Sequence, residues 1–303
     1  MRIAVPDFVS STMIALIAAK ELGIFKEEGQ DVDIVLTRSV KAEEALRDGA
    51  ADFSAGTAHA PLVVFPGWSG VKLVATISRG TPWMLVMRAG LAKRGEIEAV
   101  KGRRIAVDHG PKLVFKHLLQ EAGIDIERDR VEIVPPPTGP GISFGVAAGR
   151  ALADGKLDGV WANVLGCELA VHLGGASVVV DTRRGDGPAG AGNYSFAALA
   201  TTETNIETEP ERIEAVIRGV VRAQSVIRQD PSRATEVARK LFPPVEAELM
   251  GQILVRDAEF YRPSITVETI AAMTRFTEAV GLLSSAVPYE QVVATQFRDL
   301  WSE

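Results

Sequence analysis

Apolar and polar positions along the chain follow a cadence that occurs twice. Residues 2–5 form a short apolar run stopped by Pro6, and residues 12–21 carry apolar side chains at helical spacing, closed by Gly23. Between them Asp7-Phe8-Val9-Ser10-Ser11 reads as a polar turn. Residues 31–36 alternate acid and aliphatic, as a half-buried strand does. Residues 39–47 read as a helix with Ser39 as its N-cap, and residues 52–55 and 71–77 complete a first sheet.

Thr81-Pro82 interrupts this pattern and residues 83–87 resume as a strand, read as a first crossover. The cadence then repeats: strand 104–107, helix 112–122, strand 131–134, helix 145–153, strand 159–162 and strand 177–180. Residues 183–192 hold too many glycines for regular structure, and 194–201 read as a returning strand. From Pro210 the pattern is helical: 210–229, 231–241, 244–256, 266–280 and 289–301. Three of these five start at a proline, which suits a first helical turn because the missing N–H is not needed there.

Two such units predict an α/β protein of two lobes, 1–82 with 194–303 as one and 88–183 as the other, with crossover strands at 83–87 and 194–201. Open α/β sheets bind ligands at the carboxyl ends of their strands, so two opposed edges of this kind predict a ligand cleft between the lobes.

Composition narrows the function classes. The 33 basic and 39 acidic residues give a net charge of −6 without a basic cluster, which argues against nucleic acid. The most apolar early stretch, residues 13–19, is too short to span a bilayer, so no membrane insertion is expected. No leader precedes residues 2–5, which places the chain as written in the cytoplasm; a periplasmic protein after signal removal is the alternative. A single cysteine, Cys167, excludes an internal disulfide. The four histidines, His59, His109, His117 and His172, lack metal-ligand spacing, so neither metal nor cofactor is expected.

Several phrases resemble the type II periplasmic solute-binding proteins of the aliphatic-sulfonate, nitrate and taurine group, which includes the pyrimidine-precursor synthases of thiamine biosynthesis. They are Ile17-Ala-Ala-Lys-Glu-Leu-Gly-Ile-Phe-Lys-Glu-Glu-Gly29 with Val32-Asp-Ile-Val35, Ala45-Leu-Arg-Asp-Gly-Ala-Ala-Asp-Phe53, Val100-Lys-Gly-Arg-Arg-Ile-Ala-Val107 and Ala151-Leu-Ala-Asp-Gly-Lys-Leu-Asp-Gly-Val-Trp161. The resemblance implies two lobes joined by two crossing strands, a small-molecule ligand and an ABC permease as partner. The Lys-Glu-Leu-Gly-Ile-Phe phrase is scaffold: its glycine ends a helix and its phenylalanine packs.

The ligand-binding candidates follow from the strand ends. Ser10, Ser11 and Thr12 precede the first helix, where hydroxyls and open N–H groups favour an anion; plain N-capping is the competing assignment. Gly56, Thr57 and His59 lie just past the third strand, where glycine admits close backbone approach and the other two supply donors. Arg79 suits a carboxylate or sulfonate, or equally an interlobe ion pair. In the second unit His109, Gly110 and Lys112 open a helix, and Trp161 and Asn163 end a strand. The spacing is not that of a P-loop. Phe8, Trp83 and Trp161 suggest an aromatic ligand.

The expected function is capture of a small organic anion by a non-catalytic receptor. The alternative is a cytosolic enzyme on the same scaffold, a decarboxylase, dehydratase or thiamine-precursor-synthase-like protein, with His59 as base. The synthases carry a histidine near that position, but their cysteine-rich iron-binding motif has no counterpart here. Related desulfinases place a nucleophilic cysteine near the first helix, where this chain has Ser10 and Ser11. Cys167 reads as a small buried hydrophobe.

Overall fold

The structure, a computed structural model, describes residues 1–37, 41–137 and 143–302. The chain divides into two compact units, one of residues 1–8, 12–79 and 195–303 and one of 9–11 and 80–194.

The first unit begins with β1 (Arg2–Val5), α1 (Ile14–Glu21), α2 (Ile24–Glu27), β2 (Asp33–Leu36), α3 (Lys41–Arg47), β3 (Phe53–Thr57) and β4 (Val71–Ser78). The second follows with β5 (Trp83–Met87), β6 (Arg104–Val107), α4 (Lys112–Glu121), β7 (Glu132–Val134), α5 (Phe144–Ala153), β8 (Gly159–Asn163), α6 (Val164–Gly174) and β9 (Ser177–Asp181). The chain then returns to the first unit through β10 (Ala197–Thr202) and α7 (Glu203–Thr208). The last stretch holds α8 (Pro210–Gln229), α9 (Pro231–Leu241), α10 (Pro244–Arg256), α11 (Val267–Ala279) and α12 (Tyr289–Val292). Ser39, the N-cap expected for α3, lies outside the described residues.

The two sheets share one plan. The first runs β2-β1-β3-β10-β4 and the second β7-β6-β8-β5-β9. In each, three parallel strands are followed by one antiparallel strand, β10 in the first sheet and β5 in the second. Strands β1 and β6 carry the same sequence, Arg-Ile-Ala-Val, and in both the last three residues are buried. Full burial of short aliphatic strands is what helices on both faces require.

The glycine and phenylalanine of the scaffold phrase behave as expected. Gly23 takes φ +76°, a left-handed conformation that ends α1. Phe25 is buried, and its ring occupies the space at Gly219 of α8, where an added Cβ would come within 2.4 Å of it. Helices α5 and α6 pack through glycines: a Cβ on Gly149 would meet the Gly166 carbonyl oxygen at 2.2 Å, and one on Gly166 the Gly145 oxygen at 2.3 Å.

One expected helix is not formed. Residues 289–301 give only α12 and a 3-10 segment, Thr295–Trp301. Between them Val293 makes a parallel bridge to Leu73 of β4, and the Ala294 N–H donates to the Leu73 carbonyl at 3.0 Å. The Trp301 indole N–H donates to the Val74 carbonyl at 3.0 Å. β4 is an edge strand, and β-branched Val293, just past α12, takes the extended form that pairs with it.

Candidate functional site

In the first unit β3 ends at Gly56 and Thr57, both half-buried, and His59 follows. β10 runs antiparallel to β3 with Ala197 opposite Thr57, and the Ala58 N–H donates to the Phe196 carbonyl at 2.8 Å. One further step of this register sets Ser195 across from His59. Their side chains meet, His59 Nδ1 to Ser195 Oγ at 2.8 Å, and the imidazole packs edge-on against Phe276 of α11 with ring centres 5.3 Å apart. His59 is buried, and loss of solvation pulls its pKa down to about 4. At neutral pH it is a neutral imidazole, a hydrogen-bonding group and not a cation.

Arg79 closes β4. Its main-chain N–H donates to the Phe260 carbonyl at 2.8 Å and its guanidinium donates to the Ser264 hydroxyl, so it is held by the C-terminal part of its own unit. Phe8 is half-buried just beyond β1.

Ser10, Ser11 and Thr12 are buried, but they do not cap α1. The N-cap is Met13, whose carbonyl accepts from the Leu16 and Ile17 N–H groups, and no side chain caps it. The chain turns over residues 11–13 before the helix starts.

In the second unit His109 is exposed and Gly110 and Lys112 half-buried before and at the start of α4, whose N-cap is Pro111. Asn163 serves the scaffold: its Oδ1 accepts from the Gly166 N–H at 3.0 Å and caps α6. Trp161 is fully buried, with ring centres 5.4 Å from Phe115 and 6.3 Å from Trp83. Its indole N–H has no acceptor among the described residues. Cys167 is buried, its thiol turned to the Met84 and Ala162 carbonyls, and burial raises its pKa, so the thiolate is suppressed.

Two groups of the first unit are not evident from sequence reasoning. Ser195 joins His59 only through strand register. Glu43 of α3 is buried, and its signal was available: it falls three residues before buried Leu46, on the apolar face of the helix.

Among the described residues no three His, Cys, Asp or Glu gather as a metal site, and no helix is long and apolar enough to cross a membrane.

Two sheets of one plan, each with three parallel strands and one antiparallel strand, define an α/β protein of the two-lobed periplasmic-binding class, and solved structures share this fold along nearly the whole chain. A protein of Bordetella bronchiseptica RB50 superposes with a TM-score of 0.77 at 18% identity, covering 98% of this chain and 95% of that one. The periplasmic aliphatic sulphonate binding protein SsuA from Escherichia coli gives 0.71 at 16%, covering 97% and 91%. The periplasmic nitrate-binding protein NrtA from Synechocystis PCC 6803 gives 0.71 at 13%, covering 99% and 86%. The NMT1/THI5-like family model matches residues 10–234, and the chain belongs to that family. No curated protein sequence matches it significantly.

Proposed function

We propose that this protein is a solute-binding protein of the ABC-import type that captures a small organic anion, a carboxylate or a sulfonate. The observation that carries the reading is the set of polar groups at the carboxyl end of β3 in a chain of this family and fold: Gly56, Thr57 and the neutral His59 end a parallel strand where α/β sheets take their ligands. Solved structures that share the fold include periplasmic binding proteins for aliphatic sulphonates and nitrate, which supports the anion class, an ABC permease as partner and the periplasm as location; the desulfurization enzyme DSZB shares it too.

The candidate ligand groups are Phe8, Gly56, Thr57, His59 and Arg79 in the first unit, and Ser10, Ser11, His109, Gly110, Lys112, Trp161 and Asn163 in the second. Because His59 is neutral, it contributes a hydrogen bond to an anion; in its own unit, charge attraction falls to Arg79.

A second reading, an enzyme on the same scaffold, is favoured by the contact between the neutral His59 imidazole and the Ser195 hydroxyl at 2.8 Å, an arrangement in which a base is kept unprotonated. Equilibrium dialysis against a mixed panel of small carboxylates, sulfonates and pyrimidines, with mass spectrometry on both chambers, separates the two. A compound that accumulates unchanged on the protein side supports capture. A compound that disappears into a new mass overturns capture and makes His59 the first residue to test as its base.

A further inference from the structure

The carboxyl group of Glu43 is buried in the first unit, and among the described residues no cation stands beside it. α3 lies against β1 and β3 with Ala42, Glu43 and Leu46 buried. Glu43 is 3% exposed, and among the described residues its side chain meets no cation and no hydrogen-bond donor but its own main chain. The charged group that acts on it is Glu44, of like sign. An ionised carboxyl withdrawn from water without a partner is strongly disfavoured, so such a group persists where something else supplies the partner.

Its position says where that partner comes from. Glu43 Oε1 lies 3.8 Å from the point where a Cβ on Gly56 would stand, and Pro6 Cγ lies 3.9 Å from the same point. Gly56 is at the carboxyl end of β3 and Pro6 follows β1, so the carboxyl sits beside the ligand-binding edge of two parallel strands. Both residues are half-exposed, while the acid beneath them is buried. The Gly56 backbone does not require glycine, since its φ lies outside the left-handed region and an added methyl would meet only ordinary contacts. What glycine provides at a strand end is room for something to come close.

We propose that Glu43 reads the ligand: its carboxyl accepts a hydrogen bond from an N–H group of the captured molecule, so the solute carries an amine or amino-heterocycle N–H in addition to its acid group. The inference rests on the solute-binding reading and refines its ligand class. A solute that is only an anion would set like charge against the carboxylate; an N–H supplies a donor that the described residues do not. Burial has pushed the Glu43 pKa up to about 7, which keeps the empty site tolerable and makes the group responsive to a cationic partner.

The test is calorimetric titration of the intact protein with matched pairs that differ by one amine: β-alanine and propionate, p-aminobenzoate and benzoate, homotaurine and propanesulfonate. The parent protein is expected to bind the amino member of at least one pair about tenfold or more tightly than its partner. Glu43→Gln is expected to abolish that preference, and Gly56→Val, which covers the carboxyl, to weaken the amino member about tenfold while leaving the protein folded. Equal binding within every pair, or a preference that survives Glu43→Gln, overturns the role of Glu43 and leaves anion capture standing. Binding of no member of any pair overturns the capture of small organic acids, and this inference with it. A readout without ligand checks the premise: Glu43→Gln is expected to be more stable than the parent at pH 8, and a less stable variant overturns the inference, because a resident partner would then satisfy the charge.

Discussion

His59 Nδ1 and Ser195 Oγ stand 2.8 Å apart across 136 residues of sequence, brought together by the antiparallel pairing of β10 with β3. The strand before Ser195 belongs to the other unit and the strand after it to the unit of His59, so the contact forms where the chain re-enters the first sheet. It ties the best ligand candidate of the first unit to the point of return.

Removing the hydroxyl leaves a buried ring nitrogen without that partner. Ser195→Ala is expected to lose about 1–3 kcal/mol of stability in urea unfolding. The His59 titration followed by NMR should stay far below that of an exposed histidine, because burial, not the serine, holds it there.

Two buried groups of the first unit oppose each other in the dependence of stability on pH. His59, with its pKa lowered from 6.5 to about 4, contributes stability present above pH 6.5 and lost as pH falls toward 4. Glu43, raised from 4.5 to about 7, contributes stability present below pH 4.5 and lost as pH rises toward 7. Each effect is of order ~3 kcal/mol at most. Glu43→Gln should therefore steepen the loss of stability from pH 6.5 to 4 relative to the parent, and His59→Gln should make stability fall from pH 4.5 to 7. Denaturant midpoints across pH 4 to 8 measure both; parallel curves for the three proteins would remove both shifts.

The glycine contact between α5 and α6 admits no side chain. Gly166→Ala and Gly149→Ala each drive a methyl into main chain at 2.3 and 2.2 Å, and each is expected to cost about 1–3 kcal/mol or more. Gly110→Ala, with nothing within 4 Å and an ordinary backbone, should change thermal stability by less than about 0.5 kcal/mol.

Trp161 buries an indole N–H without an acceptor among the described residues. Trp161→Phe exchanges lost packing against removal of that unsatisfied donor, and the net change is expected to stay within about 1 kcal/mol. A loss well above this in urea unfolding would show that the N–H has a partner.

Cys167 should resist a thiol reagent in the folded protein and react in denaturant, since it is buried and its thiolate is suppressed. Rapid labelling of the native protein would contradict this placement.

Local pattern along the chain was enough to place the elements and reveal their repetition. Apolar runs of four or five residues, glycine stops and proline starts act locally, so β1, β5, β6, α8, α9 and α10 fall where periodicity and caps put them. The scaffold phrase was legible for the same reason, Gly23 by its turn and Phe25 by its size. Whatever depends on a partner distant in sequence came from the fold instead. The segment 289–301 had helical spacing but met an open strand edge, and main-chain pairing with β4 displaced most of the helix. Asn163 stood at a strand end as a ligand group would, and that its side chain also caps the helix after it came from the fold. Helical spacing could have put Glu43 on the buried face of α3, but Ser195 acquires its partner from strand register, which no local pattern encodes, because a side chain's solvation and partners are set by which elements the fold brings beside it.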